Sequence, residues 1–160
     1  MVVNELTTAL IDFLQKTALK DLALPLENST ESDVGKLRFF DGYLPPKSED
    51  NDFPFVIVRP GSVEVNDELT TVEMLIVVGT FSDLYDGYRD AVNVMDRIRV
   101  ALSSLPNRTL NGRYCFEFPM KASVPDEQAY PYWQVEMQTT WSVRTPINVP
   151  PNNGENFYDY

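Results

Sequence analysis

Residues 126–143 read D-E-Q-A-Y-P-Y-W-Q-V-E-M-Q-T-T-W-S-V and hold both tryptophans of the chain together with Tyr130 and Tyr132. From Trp133 the residues alternate in character. Trp133, Val135, Met137, Thr139, Trp141 and Val143 fall on one parity, while Gln134, Glu136, Gln138, Thr140, Ser142 and Arg144 fall on the other. Successive side chains of a strand point to opposite faces, so the pattern predicts a strand with one dry face. Pro131 stands just ahead of it, where a missing N–H costs a ladder least. The spacing favours interior filling over a ligand platform for these rings.

Working outward, Phe53 to Arg59 reads F-P-F-V-I-V-R, a buried strand stopped by Pro60-Gly61. Thr70 to Phe81 is a longer strand, with Val72, Met74, Ile76 and Val78 on its apolar parity and Thr71, Glu73, Leu75 and Val77 on a mixed one. The two are expected to pair antiparallel across V-E-V-N-D-E-L. Next comes a helix, capped by Asp83 or Asp86 and ended by Pro106. Its apolar residues, Tyr88, Ala91, Val92, Val94, Met95, Ile98, Ala101, Leu102 and Leu105, span an arc of roughly 180°. A helix lying on a sheet needs little over half of that. Val100 falls outside even this arc, so a further element is expected to cover the helix, either the first helix or a neighbouring subunit. Asn111-Gly112 marks a turn, Arg113 to Phe118 a strand ended by Pro119, and the connection M-K-A-S-V-P-D-E-Q-A-Y should project from the sheet.

At the other end, Glu5 to Lys20 has helical spacing with Asn4 as N-cap, and this first helix is expected to end near Leu24-Pro25. Leu26 to Asp52 reads as a long polar connection with at most one short strand or hairpin. The aperiodic, proline-rich segment T-P-I-N-V-P-P-N-N-G-E-N-F-Y-D-Y closes the chain. The expectation is an α+β fold: a mostly antiparallel sheet of four to five strands with two main helices packed on it. Residues 1–144 form a single domain and residues 145–160 an extended C-terminal arm.

The chemistry is sparse. The 160 residues include no histidine, which removes the commonest general base and the commonest transition-metal ligand together. Cys115, the one cysteine, cannot form an internal disulfide and has no histidine to activate it. Familiar phosphate-cradle and nucleophile-elbow motifs do not occur. The acidic run at Ser48–Asp52 lacks the glycine and distal glutamate of a calcium loop, and Glu64, Asp67, Glu68 and Glu73 read as surface acids. No enzyme activity, cofactor or metal is therefore expected. Twenty-four acidic against thirteen basic residues give a net charge of −11, which disfavours tight nucleic-acid binding by counterion release. The amino terminus lacks the basic flank and apolar stretch of a signal peptide, and no eighteen-residue apolar run occurs, so a cytoplasmic start is expected.

The runs F-F-D-G-Y-L-P-P-K, F-P-F-V-I-V-R-P-G, V-E-M-L-I-V-V-G-T-F-S-D-L-Y-D-G-Y-R-D-A-V-N-V-M-D-R-I-R-V-A-L and D-E-Q-A-Y-P-Y-W-Q-V-E-M-Q-T-T-W-S-V carry a resemblance, over about residues 39–143. The chain resembles the tail terminator, or tail-completion, proteins of the neck of long-tailed bacteriophages. That resemblance implies a hexameric ring of α+β subunits in the virion. The ring would cap the tail tube, meet the head connector or stopper protein, and let DNA pass its lumen without specific binding. It carries no catalytic residues over. A head-to-tail ring uses two different patches on each subunit. Candidate contact residues are Arg97, Arg99 and Val100 on the wide helix, Lys121, Asp126 and Glu127 in the projecting loop, and Phe157 and Tyr158 on the arm. The acidic loop from Pro45 to Asp52 is a further candidate. For Arg99, an ion pair within the chain is the favoured alternative to a contact across subunits. The competing functions are another neck ring such as a head-closure protein, a monomeric module using the closing-strand aromatics as a platform, and, last, a hydrolase built on carboxylates.

Overall fold

In the computed structural model, which describes residues 2–26, 34–45 and 52–145, the alternating stretch forms one long strand, β8 (Tyr132–Arg144). Val135, Met137, Thr139, Trp141 and Val143 are buried, whereas Gln134, Glu136, Gln138 and Arg144 are exposed. The partner strand is β5 (Leu69–Phe81), which runs antiparallel to β8 along its whole length, with Val72 opposite Trp141 and Ile76 opposite Met137.

Six strands make the main sheet, in the order β3-β4-β5-β8-β7-β6. They include β3 (Arg38–Asp41), β4 (Phe55–Val65), β6 (Thr109–Leu110) and β7 (Tyr114–Ser123). The α+β class holds, but the sheet is larger than four to five strands and it is mixed, because β3 lies parallel to β4 with Phe39 beside Val56. A separate two-stranded sheet pairs β1 (Ala23–Pro25) with β2 (Val34–Lys36). The segment expected to be mostly polar connection thus contributes two short strands, each too brief to show a period in sequence.

Neither internal proline stops its strand. Pro54 and Val58 accept backbone hydrogen bonds from Arg38 and Gly42 of the β3 side, at 3.1 and 2.8 Å. A strand residue turns its N–H and C=O to the same side, so Pro60 shares that orientation. β3 has ended at Asp41, opposite Val58, and no ladder bond is lost at Pro60. β4 runs on to Val65 through a bulge between Pro60 and Val63. β7 likewise passes Pro119 through an irregularity between Glu117 and Lys121.

β4 and β5 pair antiparallel as the sequence predicts, but their connection is shorter than V-E-V-N-D-E-L, because Val63–Val65 belong to β4 and Leu69 to β5. Asn66 closes it: its N–H donates to Leu69 O (3.0 Å), and its Oδ1 accepts from the N–H groups of Glu68 (3.0 Å) and Leu69 (2.7 Å). Asn111 and Gly112 turn the β6–β7 hairpin, both with positive φ, as a mirror-image turn requires.

Two helices pack on one face of the sheet. α1 (Val2–Phe13) starts before Asn4, whose carbonyl accepts from Thr8 Oγ1 at 3.0 Å, so Asn4 lies inside the first turn and is not the cap. A wider π turn, Leu14–Ala18, follows, closed by Leu19 N–H donating to Leu14 O. Asp21, with φ of 65°, ends the helical run ahead of Leu24-Pro25, which belongs to β1. α2 (Tyr88–Ser103) begins after Gly87 with no side-chain cap, so neither Asp83 nor Asp86 serves as one. Ala91, Val94, Ile98 and Leu102 are buried, while Val92 and Met95 are half-buried against the same core. The helix lies over β5 and β8 with the π segment at its flank, so the first helix accounts for part of its extra apolar width. Val100 remains 50% exposed.

At the core centre Trp141 is 0% exposed. Its Nε1–H donates to Thr139 Oγ1 (2.9 Å), and that hydroxyl donates to Met74 O (2.9 Å), so each buried polar atom in the chain of bonds is satisfied. Phe116 packs on the indole at 5.3 Å between ring centroids. Trp141→Ala is expected to lower unfolding free energy by about 3–5 kcal/mol as a large-to-small core change. Thr139→Val, which strands a buried indole N–H, should cost about 1–3 kcal/mol. Urea denaturation followed by circular dichroism measures both.

Candidate functional site

The pleat leaves the residues of opposite parity on a face that neither helix covers. One end of this face is closed by a small apolar cluster of Phe55, Ile57 and Val77 under Phe40, Leu44 and Phe53. Phe53 in turn packs against Phe55 and Tyr132, both at 4.7 Å between centroids. Beyond that cluster the face is polar and carries Glu73, Glu117, Glu136, Gln138 and Thr140. Where β7 passes its irregularity a concavity of about 680 Å³ opens, floored by Leu75 and Val77 and flanked by Arg59, Lys121 and Glu136. Arg59 lies over the exposed ring of Tyr43, 5.1 Å from its centroid.

Cys115 sits on the same face, half-buried, next to Glu117, whose Oε1 accepts from Ser142 Oγ at 2.7 Å. Burial pushes the Cys115 thiol up from its ordinary value, and the hydrogen bond and charge of Glu117 add to the push. A raised thiol is a poor nucleophile at neutral pH.

Both sides of the sheet end in partly covered strands. β3 pairs with β4 from Phe55 to Val58, and β6 pairs with β7 at Tyr114 and Cys115. Among the described residues, no strand lies beyond Pro60–Val65 of β4 or beyond Phe116–Ser123 of β7. Val63, Val65 and Phe118 on these edges are 46%, 63% and 55% exposed.

The described members of the contact set expected from sequence do not converge on one patch. Arg97, Arg99 and Val100 are exposed on α2, in the helix layer. Arg99 is held by Asp96 of its own helix, with Nε and Nη2 donating to Oδ1 at 2.9 and 2.7 Å. Lys121 stands on the opposite layer, at the rim of the concavity. Asp126 and Glu127 are exposed in the β7–β8 connection, which is shorter than expected because residues 120–123 belong to β7. Gln128 folds this connection back: its Nε2 donates to Pro125 O and Gln134 O, and its Oε1 accepts from Gln134 N–H at 2.8 Å. Tyr130 OH donates to Asp83 O, and Trp133 Nε1–H donates to Ser82 O at 3.0 Å. Those two rings tie the connection to the segment leaving β5. Phe157, Tyr158 and residues 46–51 of the acidic loop lie outside the described residues. Thr145, expected to open the arm, is bonded to the β4–β5 turn through Glu68 O and Asn66 O.

Sequence reasoning missed the edge residues Val63, Glu64, Val65 and Ala122. Their signal was present as the alternation V-E-V directly after Pro60-Gly61, which continues a strand rather than opening a loop.

Among the described residues no helix is long and apolar enough to cross a membrane. The chain matches no protein-family model, and no curated protein matches it.

The Cys115 environment makes a kinetic prediction. At pH 7 a disulfide reagent should label Cys115 of the native chain more slowly than the unfolded chain, since a thiol pushed up by burial holds less thiolate at that pH. The native rate should keep rising at alkaline pH after that of the unfolded chain has levelled.

Proposed function

We propose that the chain is a structural virion protein, a ring-forming tail terminator that caps a phage tail tube and joins it to the head connector or stopper protein. The observation that carries this reading is the interior position of Trp141, with its indole N–H consumed by Thr139 and its ring packed on Phe116. Of the aromatic stretch only Trp141 is interior, while Tyr132 and Trp133 are half-buried and Tyr130 is exposed. Recognition therefore falls to sheet edges, loops and the helix flank, which are surfaces suited to macromolecules rather than to enclosed small ligands. The sequence runs that resemble neck proteins direct the reading to that class.

Charge supports the same assignment. The helix-free face carries Glu73, Glu117 and Glu136 beside Arg59, Lys121 and Arg144, and the whole chain carries −11. A lumen bordered by such subunits would repel DNA and let it slide past. No cofactor or metal takes part.

Static light scattering tests the reading. A particle of about six times 18.3 kDa, formed by the chain alone or on addition of the tail-tube protein from the same genome, is the expected outcome. A strictly monomeric species that never binds tube ends would refute it.

A further inference from the structure

The orientation of the backbone along the two open edges is fixed by bonds elsewhere in the sheet. Asn66 N–H donates to Leu69 O, so the neighbouring pair Val65–Thr70 is of the non-hydrogen-bonded kind. The N–H and C=O of Val65, and by alternation those of Val63, then point away from β5, toward the side β3 has left. Thr145 N–H donates to Glu68 O across the β5–β8 register, so even-numbered residues of β8 turn toward β7. Gln138 and Glu136 thereby bond Lys121 and Ser123, and the backbone of Ala122 between them points outward.

We propose that these edges are the two halves of a head-to-tail contact between copies of this chain. Val63 of one copy pairs with Ala122 of the next, and Glu64 with Lys121, as a short antiparallel ladder that extends the sheet from subunit to subunit. The inference rests on the ring reading and assigns its interface.

Four observations converge on that register. β4 and β7 run in opposite directions, so a rotation about an axis along the strands brings them together antiparallel. The outward-facing backbone groups of Val63 and Ala122 meet, as a hydrogen-bonded pair requires. Faces agree as well: Val63 and Ala122 lie opposite Val72 and Met137 on the helix side, while Glu64 and Lys121 lie opposite Thr71 and Gln138 on the open side. Finally the charges oppose, Glu64 with Asp67 and Glu68 at the hairpin tip against Lys121 and Arg108 at the other edge. Exposed Val65 and Phe118 flank the ladder and supply apolar area to it.

The irregularities at Pro60 and Pro119 limit the ladder to a few residues. An edge blunted in this way favours one register, and a heterologous contact of fixed register forms a ring when its rotation closes on itself.

Cysteine cross-linking tests the pairing. In a Cys115→Ser background, Val63→Cys combined with Ala122→Cys brings two thiols to about 5.5 Å between Cα atoms, within disulfide reach. Mild oxidation of the full chain, alone and with tube protein, should give a ladder of covalent oligomers, while each single cysteine variant stays uncross-linked. Lys121→Glu should weaken association at least tenfold, and adding Glu64→Lys should restore it. A six-fold particle that yields no ladder would overturn this interface and leave the ring reading standing. Monomers under every condition would remove both, and dimers from a single cysteine variant would show a two-fold contact in place of the head-to-tail one.

Discussion

Thirteen residues of β5 lie in unbroken register against β8, from Leu69 beside Arg144 to Phe81 beside Tyr132. The main sheet builds outward from this pair. β4 and β7 extend it on either side, α2 lies across it, and α1 packs beside β3 and β4. A slip of one residue would carry Trp141 and Met137 to the wet face and Gln138 and Thr140 into the core, so the register is specified by the whole dry face at once. The bond chain from Trp141 through Thr139 to Met74 adds a polar constraint that only the observed register satisfies. Such a network fixes geometry more than it adds stability, because its members were hydrogen-bonded to water before folding.

The two faces of the sheet divide the work of the molecule. On the helix side nearly all large apolar residues are interior, from Leu6 and Leu10 of α1 to Ile98 of α2. On the other side the apolar cluster of Phe55, Ile57 and Val77 is dry, and the rest is mostly polar, with Glu73, Glu136 and Gln138 beside Arg59 and Lys121. An ion pair such as Arg99–Asp96 belongs to neither role. Both partners are about half exposed, and pairs of that kind contribute little to stability.

Much of this was legible in the residues, and the exceptions share a physical cause. The alternation in β8 and the apolar parity of β5 identified two strands and their dry faces, because period two is a local property. Asn111-Gly112 marked a turn and the antiparallel pairing of β4 with β5 was legible, since turn chemistry is local too, but V-E-V was read as connection and the two-residue β6 gave no signal. Pro60 and Pro119 misled because a proline ends a strand only where its missing N–H is needed, and that depends on whether a neighbour stands on that side. β3 was hidden for a similar reason: R-F-F-D is too short to show a period, and its parallel pairing depends on a strand that begins fourteen residues later. The same dependence on neighbours concealed the edge residues of the candidate interface, while the residues chosen from helix width and loop position are spread over both layers of the subunit.

The central ladder also sets an order on synthesis. β5 and β8 are joined by α2, β6 and β7, so the chain must be translated through Arg144 before β5 gains its second neighbour. Until then a nascent β4–β5 hairpin carries Val72, Met74, Ile76 and Val78 with one long edge uncovered. Contacts of such wide sequence separation close slowly, and an uncovered apolar edge is the site at which unfinished chains adhere to one another. Chaperone occupancy on the ribosome therefore matters most in the interval between the emergence of Phe81 and that of the closing strand.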